Sequence, residues 1–146
     1  MTILQAKQEH LSQLVPLFDG YRVFYKQPSN PEAVRNFLSE RFKKNDSVIF
    51  LARDENGKGL GFTQLYPSFS SVAMQRTYIL NDLYVEAAAR GKGVGEALMT
   101  QAKSFAIQEG SRGLTLETDH DNPAQKLYER LGWKKDTHVF HYTWEI

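Results

Sequence analysis

Residues 78–106 constrain the fold of this chain more than any other stretch. They open with an apolar, β-branched and aromatic run, residues 78–85, which predicts a buried strand. A glycine-rich turn at residues 90–95 leads into a helix whose apolar residues recur at helical spacing: Val94, Leu98, Ala102 and Phe105. Such a turn leaves backbone N–H groups unpaired beside the positive end of the helix dipole, so the stretch predicts a phosphate-binding site.

The spacing of the glycines decides which kind of phosphate site is expected. A Walker A loop requires Gly-Lys-Ser/Thr, whereas Gly93 is followed by Val94, Gly95 and Glu96. A Rossmann fingerprint that began at Gly91 would require its third glycine where Glu96 stands. Neither nucleotide-binding loop fits this sequence.

The turn instead resembles the pyrophosphate-binding motif of the GNAT superfamily, the acyl-CoA-dependent N-acyltransferases. The resemblance lies in Arg90-x-x-Gly93-x-Gly95 placed behind a strand. It implies that backbone amides from the turn hold the pyrophosphate of acetyl-CoA. The residues of this chain that are expected to bind the cofactor in this way are Arg90, Gly91, Lys92, Gly93, Val94 and Gly95.

A second motif supports the same resemblance near the end of the chain. It reads Ala124-x-x-Leu127-Tyr128-x-x-x-Gly132-Trp133. In the family the tyrosine lies near the CoA sulfur, which implies that Tyr128 contacts the cofactor and protonates the leaving thiolate. The family's helix-capping asparagine falls at Asp121 here and an asparagine follows at Asn122, so either residue could cap the helix, and Asn122 is taken as the cofactor contact.

The resemblance covers the whole chain and implies its fold. We expect a single GNAT domain over residues 1–146, of the α/β (α+β) class. Its centre would be a mixed, mostly antiparallel, twisted sheet of about six or seven strands with helices on both faces. The sequence places strands near 2–5, 47–53, 60–66, 78–85, 113–118 and 137–144, and helices near 11–20, from 31, 94–109 and from 123. A loop is expected between residues 67 and 75.

The family's central strand carries a bulge that frees backbone N–H groups. The resemblance therefore implies that Leu83 binds the acetyl carbonyl and Val85 the pantetheine chain, with Tyr84 between them in the cofactor site. The general base is less well defined, because related small-amine acetyltransferases carry a glutamate where this chain has Asn81. Asp82 and Glu117 are the first substitutes, since they lie on the strands that should flank the acceptor.

Other candidates remain open beside them. Asp119 and His120 are further possible bases near the strand ends. An aromatic wall and Asn81 are expected to receive the acceptor amine; the wall is formed by Tyr21, Phe24, Tyr25 and Tyr66. Aromatic residues between two helices are, however, more often part of the core than of a binding site. The sequence is similar to the branch of the family that acetylates histones, polyamines and amino acids, and the acceptor within it stays open.

Composition limits the chemistry further. The chain has no cysteine, so acyl transfer is expected to go directly from donor to acceptor or to use another nucleophile. The resemblance implies direct transfer from acetyl-CoA to a primary amine of a small molecule, amino acid, peptide or protein. The net charge of +1 predicts no nucleic-acid partner, the histidines lack metal-ligand spacing, and no apolar run suits a membrane, so a cytoplasmic protein is expected. The aromatic strand at 137–144 predicts a homodimer. A CoA-binding sensor without catalysis is the alternative function.

Overall fold

The computed structural model describes residues 1–146, arranged around one five-stranded sheet. The strands and helices follow each other in this order: β1 (Thr2–Gln5), α1 (Leu11–Phe24), α2 (Pro31–Lys44), β2 (Val48–Arg53), β3 (Gly59–Ser70), β4 (Gln75–Val85), α3 (Val94–Gln108), β5 (Leu114–Thr115) and α4 (Gln125–Arg130). Short 3₁₀ turns precede α1 and α3. None of the helices is both long and apolar enough to cross a membrane.

The strands lie in the order β1-β2-β3-β4-β5. The first four pair antiparallel and β5 pairs parallel with β4, so the expected mixed, mostly antiparallel sheet is confirmed. Alternate residues of each strand face opposite sides of the sheet. One side packs Ile49, Leu51 and Phe62 against α1 and α2, and the other packs Leu65 and Leu80 against α3. Helices therefore cover both faces, as expected.

Helix ends follow local signals in most places. The Asn30 side chain accepts a hydrogen bond from the Ala33 amide and Pro31 opens α2, as the sequence predicts. Gly110 follows α3 with a φ of 65°, a conformation that suits glycine at a helix end. Helix α1, however, continues to Phe24, so the prediction that it ends near Gly20 was wrong. A single glycine lowers helix stability without ending a helix that packs against a sheet.

Three strand predictions were also wrong in extent. Strand β3 continues to Ser70 and β4 begins at Gln75, so most of the expected loop is a hairpin whose turn is only residues 71–74. Strand β5 is limited to Leu114–Thr115. Residues 137–144 form no strand, and the sheet has five strands rather than six or seven. Residues 137–144 have no pairing partner within this chain.

Candidate active site

A cleft of about 280 Å³ opens where β4 and β5 stop pairing. The two strands pair only at Tyr78 with Leu114 and Ile79 with Thr115. Beyond these pairs β4 continues to Val85, and the residues after β5 line the opposite wall. The lining residues are Tyr21, Phe24, Tyr25, Leu80, Asn81, Leu83, Tyr84, Val85, Arg90, Gly95, Leu116, Glu117, Thr118, Asn122, Pro123, Ala124, Leu127 and Tyr128.

A β-bulge in β4 shapes the inner wall of the cleft. Gln64 pairs with Asp82 and Leu65 with Leu80, so Asn81 is an extra residue in β4. The Asp82 carbonyl faces β3, because it accepts a 2.8 Å hydrogen bond from Thr63 Oγ1. Backbone groups alternate in direction along a strand, so the N–H group of Leu83 points to the opposite, unpaired edge.

The same alternation applies at the end of β4. The Val85 carbonyl points to the free edge, where it accepts a 3.0 Å hydrogen bond from Arg90 Nε. The amide of Val85 therefore faces the same side as that of Leu83. Tyr84 lies between them and turns its side chain towards α1, where its ring contacts Tyr21 and Phe62. The free edge of β4 thus offers two backbone donors to a ligand in the cleft.

Asp82 is the buried acid of the site. Its side chain is on the α1 side of the sheet, only 4% of the residue is exposed, and it does not itself line the cleft. Gln64 Nε2 donates to Asp82 Oδ2 at 2.8 Å and Asn81 Nδ2 donates to Oδ1 at 3.1 Å. Burial raises the pKa of Asp82 above the usual value of a carboxyl group, although these hydrogen bonds and Tyr21 oppose the rise.

Tyr21 connects Asp82 to the cleft. Its ring lines the cleft, and its pKa is raised first by burial and then by the charge of Asp82 and a hydrogen bond to it. Tyr25 packs edge-on against Tyr21 at 5.0 Å between ring centroids, and Phe24 packs edge-on against Tyr25 at 5.2 Å. Phe24 and Tyr25 are exposed, so this part of the predicted aromatic wall lies at the surface of the cleft rather than in the core.

Tyr66 and Gln64 stand behind this wall. Tyr66 does not line the cleft, but its hydroxyl accepts a 3.0 Å hydrogen bond from Gln64 Nε2. Burial, followed by the charge of Asp82, raises the pKa of Tyr66 to about 12. Gln64 was missed at the sequence level. The signal that could have identified it is a lone amide inside an apolar strand, since a buried polar side chain requires a partner.

The glycine-rich turn lies at the outer end of the cleft. Gly91 and Gly93 have φ values of 73° and 81°, and a Cβ atom on either would meet no other atom within 4 Å. The backbone there is therefore open to a ligand, beside the unpaired amides at the start of α3. Arg90 and Gly95 line the cleft, whereas Lys92 and Val94 border a second cavity of about 430 Å³. Val94 directs its side chain into the core.

Tyr128 and Asn122 close the opposite wall of the cleft. Both residues are partly buried and line it. Burial raises the pKa of Tyr128, so its hydroxyl stays protonated at neutral pH. Asn122 Oδ1 accepts a 2.9 Å hydrogen bond from the Ala124 amide just before α4, while Asp121 is exposed and outside the lining. Asn122 thus closes the turn before α4, whereas the helix starts from Ala124 with no side-chain cap, so the prediction that Asp121 or Asn122 caps the helix was wrong.

The remaining candidate bases are at the surface. Glu117 lines the cleft, but its side chain is 78% exposed, and its Oε1 lies 3.2 Å from Nδ1 of His141. Asp119 and His120 are exposed and outside the lining. Of the acids considered from the sequence, Asp82 is therefore the one that burial and hydrogen bonds hold in a fixed position.

Comparison with known proteins gives consistent matches. The sequence model of the acetyltransferase (GNAT) family matches residues 14–133. YhfO of Bacillus subtilis (strain 168), an uncharacterized N-acetyltransferase, is 49% identical over 143 residues, which cover 97% of this chain and 95% of YhfO. The D-amino-acid N-acetyltransferase HPA3 of Saccharomyces cerevisiae is 31% identical over 125 residues, covering 82% and 76%. A crystal structure of a probable acetyltransferase, 45% identical, superposes with a TM-score of 0.94 over 100% of this chain and 98% of its own.

Proposed function

Since the chain belongs to the acetyltransferase (GNAT) family and is an N-acetyltransferase, we propose that it transfers the acetyl group of acetyl-CoA directly to a primary amine held in the cleft. The observation that carries this proposal is the cleft between β4 and β5. It brings the free edge of β4, Tyr128 and Tyr21 around one volume, with the buried Asp82 outside the lining on the α1 side. The absence of cysteine fits a direct transfer without an acyl-enzyme thioester.

The residues of the cleft suit acetyl-CoA. When bound, acetyl-CoA supplies the acetyl group as an activated thioester. The amides of Leu83 and Val85 would donate hydrogen bonds to the acetyl carbonyl and to the pantetheine chain. The open backbone at Gly91 and Gly93, with the first amides of α3, would hold the pyrophosphate. Preorganised backbone donors of this kind stabilise the negative charge that develops on a carbonyl oxygen under attack.

The acceptor amine would enter from the side of α1. Tyr21, Phe24 and Tyr25 form an aromatic wall there, which suits the aliphatic body and the ammonium group of an amine. The buried carboxylate of Asp82 behind this wall favours a positive charge in front of it. One relative is named for D-amino acids, so we extend the proposal to free amino acids and small primary amines as the first acceptors to examine.

Asp82 would receive the proton of the amine through Tyr21. Asp82 does not line the cleft, whereas the Tyr21 ring does, and the pKa of Tyr21 is raised by its burial and then by the nearby carboxylate of Asp82. As the amine attacks, its proton would pass to the Tyr21 oxygen while the Tyr21 proton passes to Asp82, so that no phenolate accumulates. The raised pKa of Asp82 makes this carboxylate a stronger base than an exposed one.

Tyr128 would complete the reaction as the general acid. Its raised pKa keeps the hydroxyl protonated, and its position on the wall opposite β4 suits donation to the thiolate that leaves. Tyr128 could regain its proton from solvent after the products depart. The proton donor Tyr128 and the proton acceptor Asp82 are therefore separate groups, and Tyr21 connects Asp82 to the cleft.

A CoA-release assay tests the proposal. Acetyl-CoA is incubated with the wild type and a panel of D-amino acids, L-amino acids and small amines, and free CoA is measured. We expect saturable release with at least one acceptor and a strong reduction in the Asp82→Asn variant. Binding of CoA by calorimetry with no turnover on any acceptor would instead favour the CoA-binding sensor.

A further inference from the structure

Thr118 is a polar residue in an otherwise apolar row that leads from β5 into the cleft. Exposure alternates along residues 114–118, where the even-numbered residues are partly buried and the odd-numbered ones are exposed. Leu114 and Leu116, the first two of the inward row, pack against the core on the α3 side of the sheet. Thr118 is the third, and it lines the cleft. Valine has nearly the same shape as threonine, so what Thr118 adds to this row is a hydroxyl group.

The hydroxyl of Thr118 has no fixed partner. Its Oγ1 atom is buried and forms no hydrogen bond, although the residue as a whole is only partly buried. A buried hydroxyl without a partner costs free energy, because it has lost its hydrogen bonds to water. The Oγ1–H group is therefore free to donate to an acceptor that lies close to it in the cleft wall.

The phenol oxygen of Tyr128 is such an acceptor. Tyr128 lines the same cleft and packs in the same apolar cluster as Leu116. Burial and then the charge of Tyr25 raise the pKa of Tyr128, whereas the neighbouring hydroxyl of Thr118 lowers it. Hydrogen bonds of catalytic groups are often long in a protein without its substrates and shorten during the reaction. Thr118 is thus placed to act on the oxygen that releases a proton in the proposed reaction.

We propose that Thr118 is a positioning residue for Tyr128, whose phenol oxygen accepts a hydrogen bond from Thr118 Oγ1–H. The inference rests on the proposed function, in which Tyr128 is the general acid. A phenol oxygen carries a single proton, and it accepts hydrogen bonds through its lone pairs. When Thr118 occupies a lone pair, the proton of Tyr128 remains free to point into the cleft, towards the sulfur that leaves.

The same contact stabilises the group that remains after proton transfer. The O–H bond of Tyr128 breaks, its proton passes to the thiolate of CoA, and a negative charge stays on the phenol oxygen. A hydrogen bond to an ionised acceptor is stronger than one to a neutral acceptor, so the contact with Thr118 strengthens as the charge develops. Thr118 keeps its own proton throughout, and Tyr128 regains one from solvent.

Three single variants test this role. Thr118→Val removes the hydroxyl and keeps the shape, Thr118→Ser keeps the hydroxyl, and Thr115→Val is the matched control at an exposed position of the same segment. With an acceptor found in the CoA-release assay, Thr118→Val should lower kcat by about 10- to 100-fold, the effect of one hydrogen bond to a charged group. The dissociation constant of CoA should stay unchanged in calorimetry. Thr118→Ser should recover most of kcat, and Thr115→Val should match the wild type.

A spectroscopic measurement on the free protein tests the contact without turnover. The Cζ carbon of tyrosine changes its NMR chemical shift when a hydrogen bond to the phenol oxygen is lost. In protein labelled with ¹³Cζ-tyrosine, the Tyr128 signal is assigned by its absence in Tyr128→Phe. This signal should move in Thr118→Val and keep its position in Thr118→Ser and Thr115→Val. An unchanged signal in Thr118→Val would overturn the proposal, even if no acceptor is turned over.

Combination with Tyr128→Phe separates a failure of this inference from a failure of the proposed function. If Thr118 acts through Tyr128, Thr118→Val should cause no further loss of kcat in the Tyr128→Phe background. A wild-type kcat in Tyr128→Phe would contradict the general acid and this inference together. A reduced kcat in Tyr128→Phe with an unchanged kcat in Thr118→Val would overturn the role of Thr118 alone, as would a loss that persists in full in the double variant.

Discussion

Gln64 Nε2 donates a 2.8 Å hydrogen bond to Oδ2 of Asp82, and both residues are buried on the side of the sheet that faces α1. The two residues are direct partners across β3 and β4, at the point where the bulge at Asn81 begins. The bulge turns Asp82 to the α1 side, and the amide of Gln64 holds the carboxylate there. The position of the proposed proton acceptor is thus set by the register of two strands.

The first prediction concerns the pH dependence of activity. Proton transfer to Asp82 requires the carboxylate, and burial raises its pKa above that of an exposed carboxyl group. In the wild type, kcat/KM should therefore fall as the pH drops through this raised pKa. Asp82→Asn should reduce kcat by about 10² to 10⁴ and remove this step. The exposed Asp119→Asn is the control and should keep the wild-type profile.

The pH dependence of stability should run opposite to that of activity, and the same Asp82→Asn variant tests it. A carboxyl group whose pKa is raised by folding binds its proton more tightly in the folded state. The stability that it contributes is greatest below the unfolded pKa of about 3.9 and is lost as the pH rises through the folded pKa. The free energy of unfolding of the wild type relative to Asp82→Asn should therefore decrease with rising pH. A relative stability that increased over this range would show that the pKa of Asp82 is lowered.

The parts of this site that are local in sequence could be predicted from the sequence. The strand, the glycine-rich turn and the start of α3 are contiguous, so spacing alone was enough to predict the open backbone at Gly93. Asn122 and Tyr128 belong to one short motif and lie together on one wall for the same reason. Asp82 was chosen because its strand should flank the acceptor, and it lies beside the cleft.

The rest depends on contacts between distant residues. Tyr21 reaches Asp82 across 61 positions of the chain, and Gln64 reaches it through a strand register that no local pattern encodes. Residues 137–144 were predicted as a strand and form none, because strand propensity does not reveal whether a segment finds an edge to pair with. Asn81 was proposed for the acceptor site, and the structure adds that it is the bulge residue.

A second prediction separates catalysis from packing at Tyr128. Tyr128→Phe removes only the hydroxyl and keeps the ring that packs 6.4 Å from Trp133. If the hydroxyl is the general acid, kcat should fall by about 10² to 10⁴, with the dissociation constant of CoA nearly unchanged. If it is only a structural hydroxyl, turnover should be unchanged and stability should fall by about 1 kcal/mol. Tyr142→Phe in the exposed tail is the control for loss of a hydroxyl.

A third prediction concerns the phosphate turn. Gly93→Ala places a Cβ atom on a residue whose φ is 81°, next to the amides that should contact the pyrophosphate. Gly110→Ala imposes a similar backbone strain of about 1–2 kcal/mol at the other end of α3, where φ is 65°. Both variants should lose stability to a similar extent, and only Gly93→Ala should weaken CoA binding in calorimetry. Equal CoA affinity in the two variants would contradict the assignment of the turn.

A final prediction tests how α1 fixes the acceptor wall. A Cβ atom on Gly20 would lie 2.8 Å from the hydroxyl oxygen of Tyr84, and the Tyr84 ring is held between Tyr21 and Phe62. Alanine favours a helix over glycine by roughly 1 kcal/mol, yet overpacking costs about 1–3 kcal/mol, so Gly20→Ala should lower the free energy of unfolding. The displaced rings should also raise the KM for the acceptor.

The double variant Gly20→Ala/Tyr84→Phe isolates this contact, because it removes the oxygen that the new methyl group would meet. The double variant should lose less free energy of unfolding than the two single variants lose together, by a coupling of the size found between residues in contact, about 0.5–3 kcal/mol. Chemical denaturation of the four proteins measures this coupling. Strict additivity would mean that α1 shifts away from β4 to accommodate the methyl group, and the wall formed by Tyr21 would then not be fixed by Tyr84.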